Sequence, residues 1–143
     1  MIIWVKNMRN IEKCTLLFTI GGIGYGLLEI LWRRRTHISM ILAGGICFVI
    51  FDVITRRCKG AGRLGKAGIA ALVITLIELI FGVIFNLLLG LSVWDYSSLP
   101  FNFLGQICPL YCGLWFLLSI VILPFEEFIS DWLSTLGRKA DTA

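Results

Sequence analysis

The chemically capable side chains are densest between Glu29 and His37, in the stretch EILWRRRTH. It holds one carboxylate, three guanidinium groups and the only histidine of the chain. Guanidinium groups bind carboxylates and phosphates through paired hydrogen bonds, and a carboxylate near an imidazole can exchange protons with it. The residue types are therefore those of an anion site or of an acid–base pair.

The spacing within this stretch favours a local ion pair, because Glu29 precedes Arg33 by four residues on a predicted helix. Three interpretations remain open for the arginines. They reach to lipid head groups from a short hairpin; or one or two of them turn back with His37 into a polar vestibule that meets an anion; or the chain runs through the membrane in the opposite sense. The candidate residues are Glu29, Arg33, Arg34, Arg35 and His37.

A second candidate pair is Glu78 and Asn86, eight residues apart in the apolar run ALVITLIELIFGVIFNLLLG. That spacing places both on one face of a helix. A carboxylate at the middle of a bilayer costs about 2.5 to 3.5 kcal/mol, so Glu78 is expected to face the interior of a bundle. It either ties helices together or lines a pathway.

Five cysteines give no CxxC pair. Cys108 and Cys112 share a helix face and would need His37 to complete a metal set, so we expect small apolar packing instead. No metal or cofactor is expected. Glu29 and His37 have no second ligand set or nucleophile beside them, so no enzyme is expected either.

The elements that position these residues are membrane helices. The 143 residues are 58% hydrophobic and 15% charged, with a mean hydropathy of +0.90, which exceeds what a small soluble core can bury. Apolar runs of the length that crosses a ~30 Å hydrocarbon core cover residues 14–32, 38–55, 67–91 and 104–123. The sequence predicts a single all-α membrane domain, a polytopic bundle of four transmembrane helices with a short C-terminal amphipathic helix at about 125–136.

Basic residues predict the orientation. Positive charge favours the cytoplasmic side, and one side of the predicted topology collects most of it. The residues on that side are Lys6, Arg9, Lys13, Arg56, Arg57, Lys59, Arg63, Lys66, Arg138 and Lys139. We therefore expect a multi-pass protein of the cell membrane with both termini in the cytoplasm, and Asp52 in a local pair with Arg56. These charges flank membrane spans, so they indicate lipid contact and no nucleic acid.

Two patterns predict packing. Gly22 and Gly26 in the first span, with Gly44 and Gly45 in the second, allow these helices to approach closely. The tail has an apolar stripe opposite an acidic face that contains Glu126, which favours a helix at the membrane surface. Pro124 allows either a break after the fourth span or a kinked helix that continues into the tail. Its acidic face suits the basic loop after the second span, or a partner.

The segment WDYSSLPFNFLGQICPLYCGLW resembles the closing motif of the CmpB-like family, also called ABC-transporter type IV. The matching residues are Trp94, Asp95, Tyr96, Ser97, Pro100, Asn102, Gly105, Ile107, Cys108 and Trp115. A weaker similarity covers Glu29, Gly44 and Gly45, but RRRTHISM departs from the family's polar link. The resemblance implies a multi-helix membrane protein of a transport system.

The same loop can be interpreted without the family. Trp94, Tyr96, Phe101 and Phe103 predict an aromatic belt at the membrane surface. Asp95 is the only charge in the loop, and we expect it to hold one of the arginines, together with Glu29.

Two functions follow from these observations. The first is a permease-like subunit that acts as an oligomer or with a separate ATPase, since the sequence has no GxxxxGK[ST] phosphate loop. The second is a non-transporting adaptor, regulator or anchor that recruits a partner through its basic loop and acidic tail. A polar cavity at Glu78 and Asn86 would favour the first function, and a dry bundle the second.

Overall fold

The computed structural model describes the backbone of residues 2–140 and the side chains of residues 10–136. Within this part of the chain the regular elements are helices. They are α1 (Ile2–Arg33), α2 (Ile38–Arg57), α3 (Arg63–Phe81), a π-helical segment (Gly82–Leu88) and α4 (Pro109–Ala140). Four stretches are long and apolar enough to cross a membrane: Asn10–Arg33, Ile38–Arg57, Arg63–Leu88 and Pro109–Leu136. The predicted all-α bundle with four spans is confirmed.

Consecutive helices run in opposite directions, which gives the bundle two different ends. The link 34–37 and the loop 89–108 lie at one end, called here the long-loop end. The link 58–62 lies at the other, the short-loop end. Part of the predicted charge asymmetry falls outside the described side chains, namely Lys6, Arg9, Arg138 and Lys139.

The last two predicted elements need correction. The fourth span begins at Pro109, because residues 104–108 belong to the loop and Leu104 and Gly105 have positive φ angles that no α-helix accepts. The amphipathic tail at 125–136 is not a separate helix, because α4 continues through Pro124. A proline removes only one backbone hydrogen bond, and membrane helices accommodate that loss.

The predicted close contact between the first two spans is confirmed, and it lies within one chain. A Cβ atom placed on Gly44 would run into the Cβ of Tyr25 and lie 3.0 Å from the carbonyl oxygen of Gly21. A Cβ on Gly22 would lie 2.8 Å from the carbonyl oxygen of Ile41. Only glycine permits this separation, so α1 and α2 form one tightly packed pair.

The remaining contacts leave one side of the bundle open. α1 packs mainly on α2, and α4 packs mainly on α3. α4 buries a single row of side chains that runs along much of its length: Trp115, Ser119, Leu123, Glu126 and Ser130. A groove remains where α1 faces α4.

Candidate functional site

Glu78 lies inside the bundle, as predicted, and both of its carboxylate oxygens have donors. The Tyr96 hydroxyl donates to Oε1 at 2.7 Å, and the Trp115 indole N–H donates to Oε2 at 2.9 Å. The side chain is buried. Glu78 therefore joins α3 to the loop 89–108 and to α4.

The Tyr96 phenol stays protonated, which is the form that can donate a hydrogen bond to Glu78. Burial raises the pKa of its phenol, and the nearby Glu78 carboxylate raises it further. The hydroxyl consequently remains protonated and donates to the carboxylate.

Asn86 is also buried and fully hydrogen-bonded. Its amide nitrogen donates to the Trp94 carbonyl at 3.0 Å and to Gln106 Oε1 at 2.7 Å, while its oxygen accepts from the Val93 N–H at 2.6 Å. Asn86 lies in the π-helical segment, a widened helix that is common at functional sites. Glu78 and Asn86 thus both fasten the loop 89–108 to α3. We did not predict a role for Gln106, whose only signal in the sequence was a single amide side chain in the apolar stretch before the fourth span.

The residues that match the family motif mostly build this loop. The Trp94 indole donates to the Gln106 carbonyl at 3.0 Å, and the Tyr96 N–H donates to the Gly105 carbonyl at 2.8 Å. Asn102 accepts from the Gly105 N–H at 3.0 Å and donates to the Leu99 carbonyl at 2.8 Å. Gly105 has a φ of +68°, and a Cβ there would lie 3.0 Å from Asp95 Oδ1.

The predicted aromatic belt is half wrong. Trp94 and Tyr96 are 3% and 8% exposed and face inward, because each has a polar atom bonded inside the bundle. Phe101 and Phe103 are exposed, as a belt requires. The other motif positions divide in the same way, since Pro100 is exposed and Cys108 is buried.

The predicted pair between Glu29 and Arg33 is confirmed, with Arg33 Nη2 3.1 Å from Glu29 Oε1. Thr36 also donates to Glu29 Oε2 at 2.9 Å, and Arg33 donates to the Val93 carbonyl at 3.1 Å. Arg33 Nε is buried without a partner. Arg34 and Arg35 are exposed, so one arginine of the three is held inward.

Asp95 does not hold an arginine, which corrects the prediction. Its Oδ1 accepts from the Ser97 N–H at 2.8 Å and from the Ser97 hydroxyl at 2.5 Å. These two hydrogen bonds lower the pKa of the fully exposed Asp95 carboxyl. In the described part of the chain no ion pair joins it to an arginine, since donors two residues away satisfy it locally.

His37 caps the start of α2. Its Nδ1 accepts from the Ser39 N–H at 3.2 Å and lies 2.8 Å from the Ser39 hydroxyl. The ring packs edge-on against Phe85 at 6.1 Å and makes no hydrogen bond to Glu29 among those described. Residues 10–136 contain no group of three side chains suited to a metal ion. Cys112 instead accepts a hydrogen bond from the Thr75 hydroxyl at 3.5 Å.

A buried polar cluster at the short-loop end was not predicted. Asp52 is 2% exposed and contacts Arg56, the Ser130 hydroxyl and Lys13, whose Nζ lies 3.2 Å from Oδ1. Sequence reasoning gave Asp52 only the local pair with Arg56. The cluster joins α1, α2 and α4.

Part of the acidic face of α4 lies inside beside this cluster, which corrects the prediction of a surface helix. Glu126 and Ser130 are buried, whereas Glu127 and Asp131 are exposed. Glu126 is fully buried, accepts a hydrogen bond from Thr55 at 3.2 Å, and has a second oxygen without a partner. The apolar side chains Phe125, Phe128 and Trp132 are exposed instead. In a lipid environment the apolar stripe of a helix faces outward, so the polar stripe packs inside.

The open side of the bundle contains two adjoining cavities. The larger has a volume of about 470 Å³, is lined almost wholly by apolar side chains of all four helices, and has Glu78 in its wall. The smaller, about 190 Å³, lies at the long-loop end and is lined by both Glu29 and Arg33. Their shared wall residues are Tyr25, Leu28, Met40, Trp115 and Leu118. We call the two together the α1–α4 groove.

Four membrane-crossing helices, capped at one end by a hydrogen-bonded loop, define a multi-pass helical membrane protein. The chain belongs to the family described as "Putative ABC-transporter type IV", whose model matches residues 16–142. This match confirms the resemblance and extends it from the closing motif over all four spans. No curated protein and no solved structure matches the chain.

Proposed function

We propose that this protein is the permease-like membrane subunit of a transport system, that it has no catalytic role of its own, and that it acts as an oligomer or with a separate ATPase. Membership of an ABC-transporter-type family supports the transport role. The observation that carries the proposal is the α1–α4 groove. It is bounded by all four helices but open on one side, so a second copy or a partner helix is needed to enclose a pathway.

The short-loop end is proposed to face the cytoplasm and to meet the ATPase. The link between α2 and α3 is short and basic, and Arg57, Lys59 and Arg63 are exposed on it. Positive charge near the ends of spans favours the cytoplasmic side. The same charges suit an acidic surface on a nucleotide-binding partner.

One observation favours a second candidate, a non-transporting adaptor. Glu78 and Asn86 are both satisfied by neighbouring groups and do not line a polar channel. A bundle of this kind can serve as an anchor whose basic link recruits a partner. The two candidates differ in subunit content. Several copies of the chain, or a complex with an ATPase, fit the transport subunit, whereas a single copy with partners that lack ATPase activity fits the adaptor.

The test is extraction of the tagged full-length protein from its native membrane in polymer-bounded discs. Particle mass, subunit content and ATP hydrolysis are then measured. We expect a particle larger than one copy, and ATPase activity if a separate ATPase is present. The double variant Arg57→Glu with Lys59→Glu should lose the ATPase. The control Ser92→Glu with Ser98→Glu, two exposed positions at the opposite end that line neither cavity, should keep it. A particle of one copy without ATPase activity would refute the transport proposal, and partners without ATPase activity would favour the adaptor.

A further inference from the structure

The α1–α4 groove changes character along its length. The larger cavity has apolar walls built by residues such as Leu28, Phe48 and Ile77. The smaller cavity adds the charged pair Glu29 and Arg33 at the long-loop end. A ligand that fills both cavities must therefore be amphipathic, with a long apolar part and a polar end at the arginines.

The charge at that end is positive. Arg33 pairs with Glu29, but its Nε is buried without a partner, so its capacity to donate is not exhausted. Arg34 and Arg35 follow directly and are exposed. Asp95 keeps its negative charge while it accepts from Ser97. Three arginines against Glu29 and Asp95 leave a net charge of +1 at this end. The polar end of the groove thus complements an anion, and guanidinium groups suit phosphate in particular.

The size of the groove selects among apolar occupants. A membrane helix is 10 to 12 Å wide with its side chains and about 30 Å long, which amounts to roughly 2,400 Å³ or more. That exceeds the larger cavity even when its open mouth is included, about 1420 Å³ of empty space in all. A helix of a second copy can cover the groove but cannot enter it, whereas a single hydrocarbon chain can.

We propose that the α1–α4 groove binds one acyl chain of an anionic phospholipid, with the phosphate held by Arg33 and its two neighbouring arginines. The lipid enters sideways, through the open side between α1 and α4. This inference does not depend on the transport role, because the bound lipid can be a cargo or a permanent part of the fold. The two are therefore tested separately.

The decisive pair of variants uses two helical glycines. Gly24 lies in the wall of the larger cavity, and a Cβ there meets nothing within 4 Å. Gly113 on α4 also has nothing within 4 Å, but it lines neither cavity. Gly24→Phe should fill the groove without a clash, and Gly113→Phe is its matched control.

The probe is phosphatidylglycerol with a diazirine in one acyl chain, used with the full-length protein in phosphatidylcholine nanodiscs. Wild-type protein should show saturable labelling within α1 and α4 that unlabelled phosphatidylglycerol competes away. The acyl chain exchanges between bilayer hydrocarbon and the groove, so the added ring acts by occupying the space of the chain. Gly24→Phe should therefore reduce labelling to the level that remains with an excess of unlabelled phosphatidylglycerol. Gly113→Phe should label like the wild type.

The head-group assignment has its own variant. Phosphatidylglycerol and phosphatidylcholine both carry a phosphate, so a preference between them reports the net charge of the head group. Arg34→Gln with Arg35→Gln removes two exposed positive charges and leaves the pair of Glu29 and Arg33 intact. Each basic residue near an anionic lipid contributes about 1 kcal/mol, or about fivefold, so the double variant should lose most of the preference for phosphatidylglycerol over the phosphatidylcholine probe. Labelling of the groove itself should persist.

Several outcomes would overturn the proposal. They are non-saturable labelling, equal labelling of Gly24→Phe and Gly113→Phe, equal affinity of the wild type for both head groups, and displacement by a free fatty acid but not by phosphatidylglycerol. Competition at the wild-type protein by unlabelled phosphatidylglycerol, compared with unlabelled phosphatidylcholine, keeps the test decisive if a variant does not fold.

Discussion

Replacing Asp52 with asparagine tests the unexpected cluster at the short-loop end. Asp52→Asn keeps the size of the side chain and an oxygen for the Ser130 hydroxyl, and removes only the charge. Lys13, which is 14% exposed, and Arg56, which is 57% exposed, then lose their carboxylate partner. The variant therefore measures the electrostatic contribution of a cluster that joins α1, α2 and α4.

The magnitude follows from the unequal burial of the two cations. Removing one partner of a buried ion pair costs about 3 to 5 kcal/mol, because the other charge stays buried and unpaired. Arg56 can turn to water or lipid head groups, so its share is that of a surface pair, about 0 to 1 kcal/mol. Lys13 cannot do so as readily, and Ser130 keeps an acceptor. We therefore expect a loss of about 3 kcal/mol in the free energy of unfolding.

The assay is reversible unfolding in mixed micelles by titration with sodium dodecyl sulfate, followed by tryptophan fluorescence. Glu127→Gln is the matched control, since Glu127 lies at the same end of the bundle but is exposed. Its effect should stay within about 0.5 kcal/mol. An Asp52→Asn loss below 1 kcal/mol, or one equal to that of Glu127→Gln, would refute the assignment of Asp52 to a buried cluster.

Three further predictions concern the helix contact and the loop. Gly44→Ala should lower the free energy of unfolding by about 1 to 3 kcal/mol, because the added methyl group overpacks the contact between α1 and α2. In the same titration the uncrowded Gly113→Ala should leave the free energy of unfolding unchanged or raise it by up to about 1 kcal/mol. Equal effects would contradict the close contact. Tyr96→Phe removes one hydrogen-bond donor to Glu78, so it should lower the free energy of unfolding by about 1 to 3 kcal/mol and speed proteolysis of the loop 89–108. An unchanged rate of proteolysis would show that this hydrogen bond does not hold the loop. Asp95→Asn should be less stable than the wild type at neutral pH. The lowered pKa of Asp95 stabilises the folded state only while the carboxyl is ionised, so the difference should vanish as the pH falls below 3.8 and through the folded-state pKa. A difference that grew with acid would contradict this prediction.

The sequence was sufficient where local rules decide the structure. Four runs of bilayer length determine the number of spans, a spacing of four residues predicts the pair of Glu29 with Arg33, and the glycines of the first two spans predict their close contact. The prediction that Asp95 holds an arginine was wrong, although the sequence contains a signal for its partner Ser97, because an aspartate commonly accepts from donors two residues later in a turn.

The short-loop cluster was beyond such rules. Helical periodicity shows that Glu126 and Ser130 share a stripe, but it does not say whether that stripe faces water or the interior of a bundle. Lys13 and Asp52 meet only because α1 and α2 pack in one register. Tertiary packing decided both points. It buries Glu126 and Ser130 of the acidic face, whereas Glu127 and Asp131 of that face stay exposed.

The buried row on α4 makes contacts toward both ends of the bundle. Trp115 at one end of the row holds Glu78, and Ser130 at the other contacts Asp52. Fifteen residues of continuous helix separate them, about 22 Å at 1.5 Å per residue. Because α4 does not break at Pro124, both contacts lie on one continuous helix. A rotation or translation of α4 as a unit would therefore strain both contacts together.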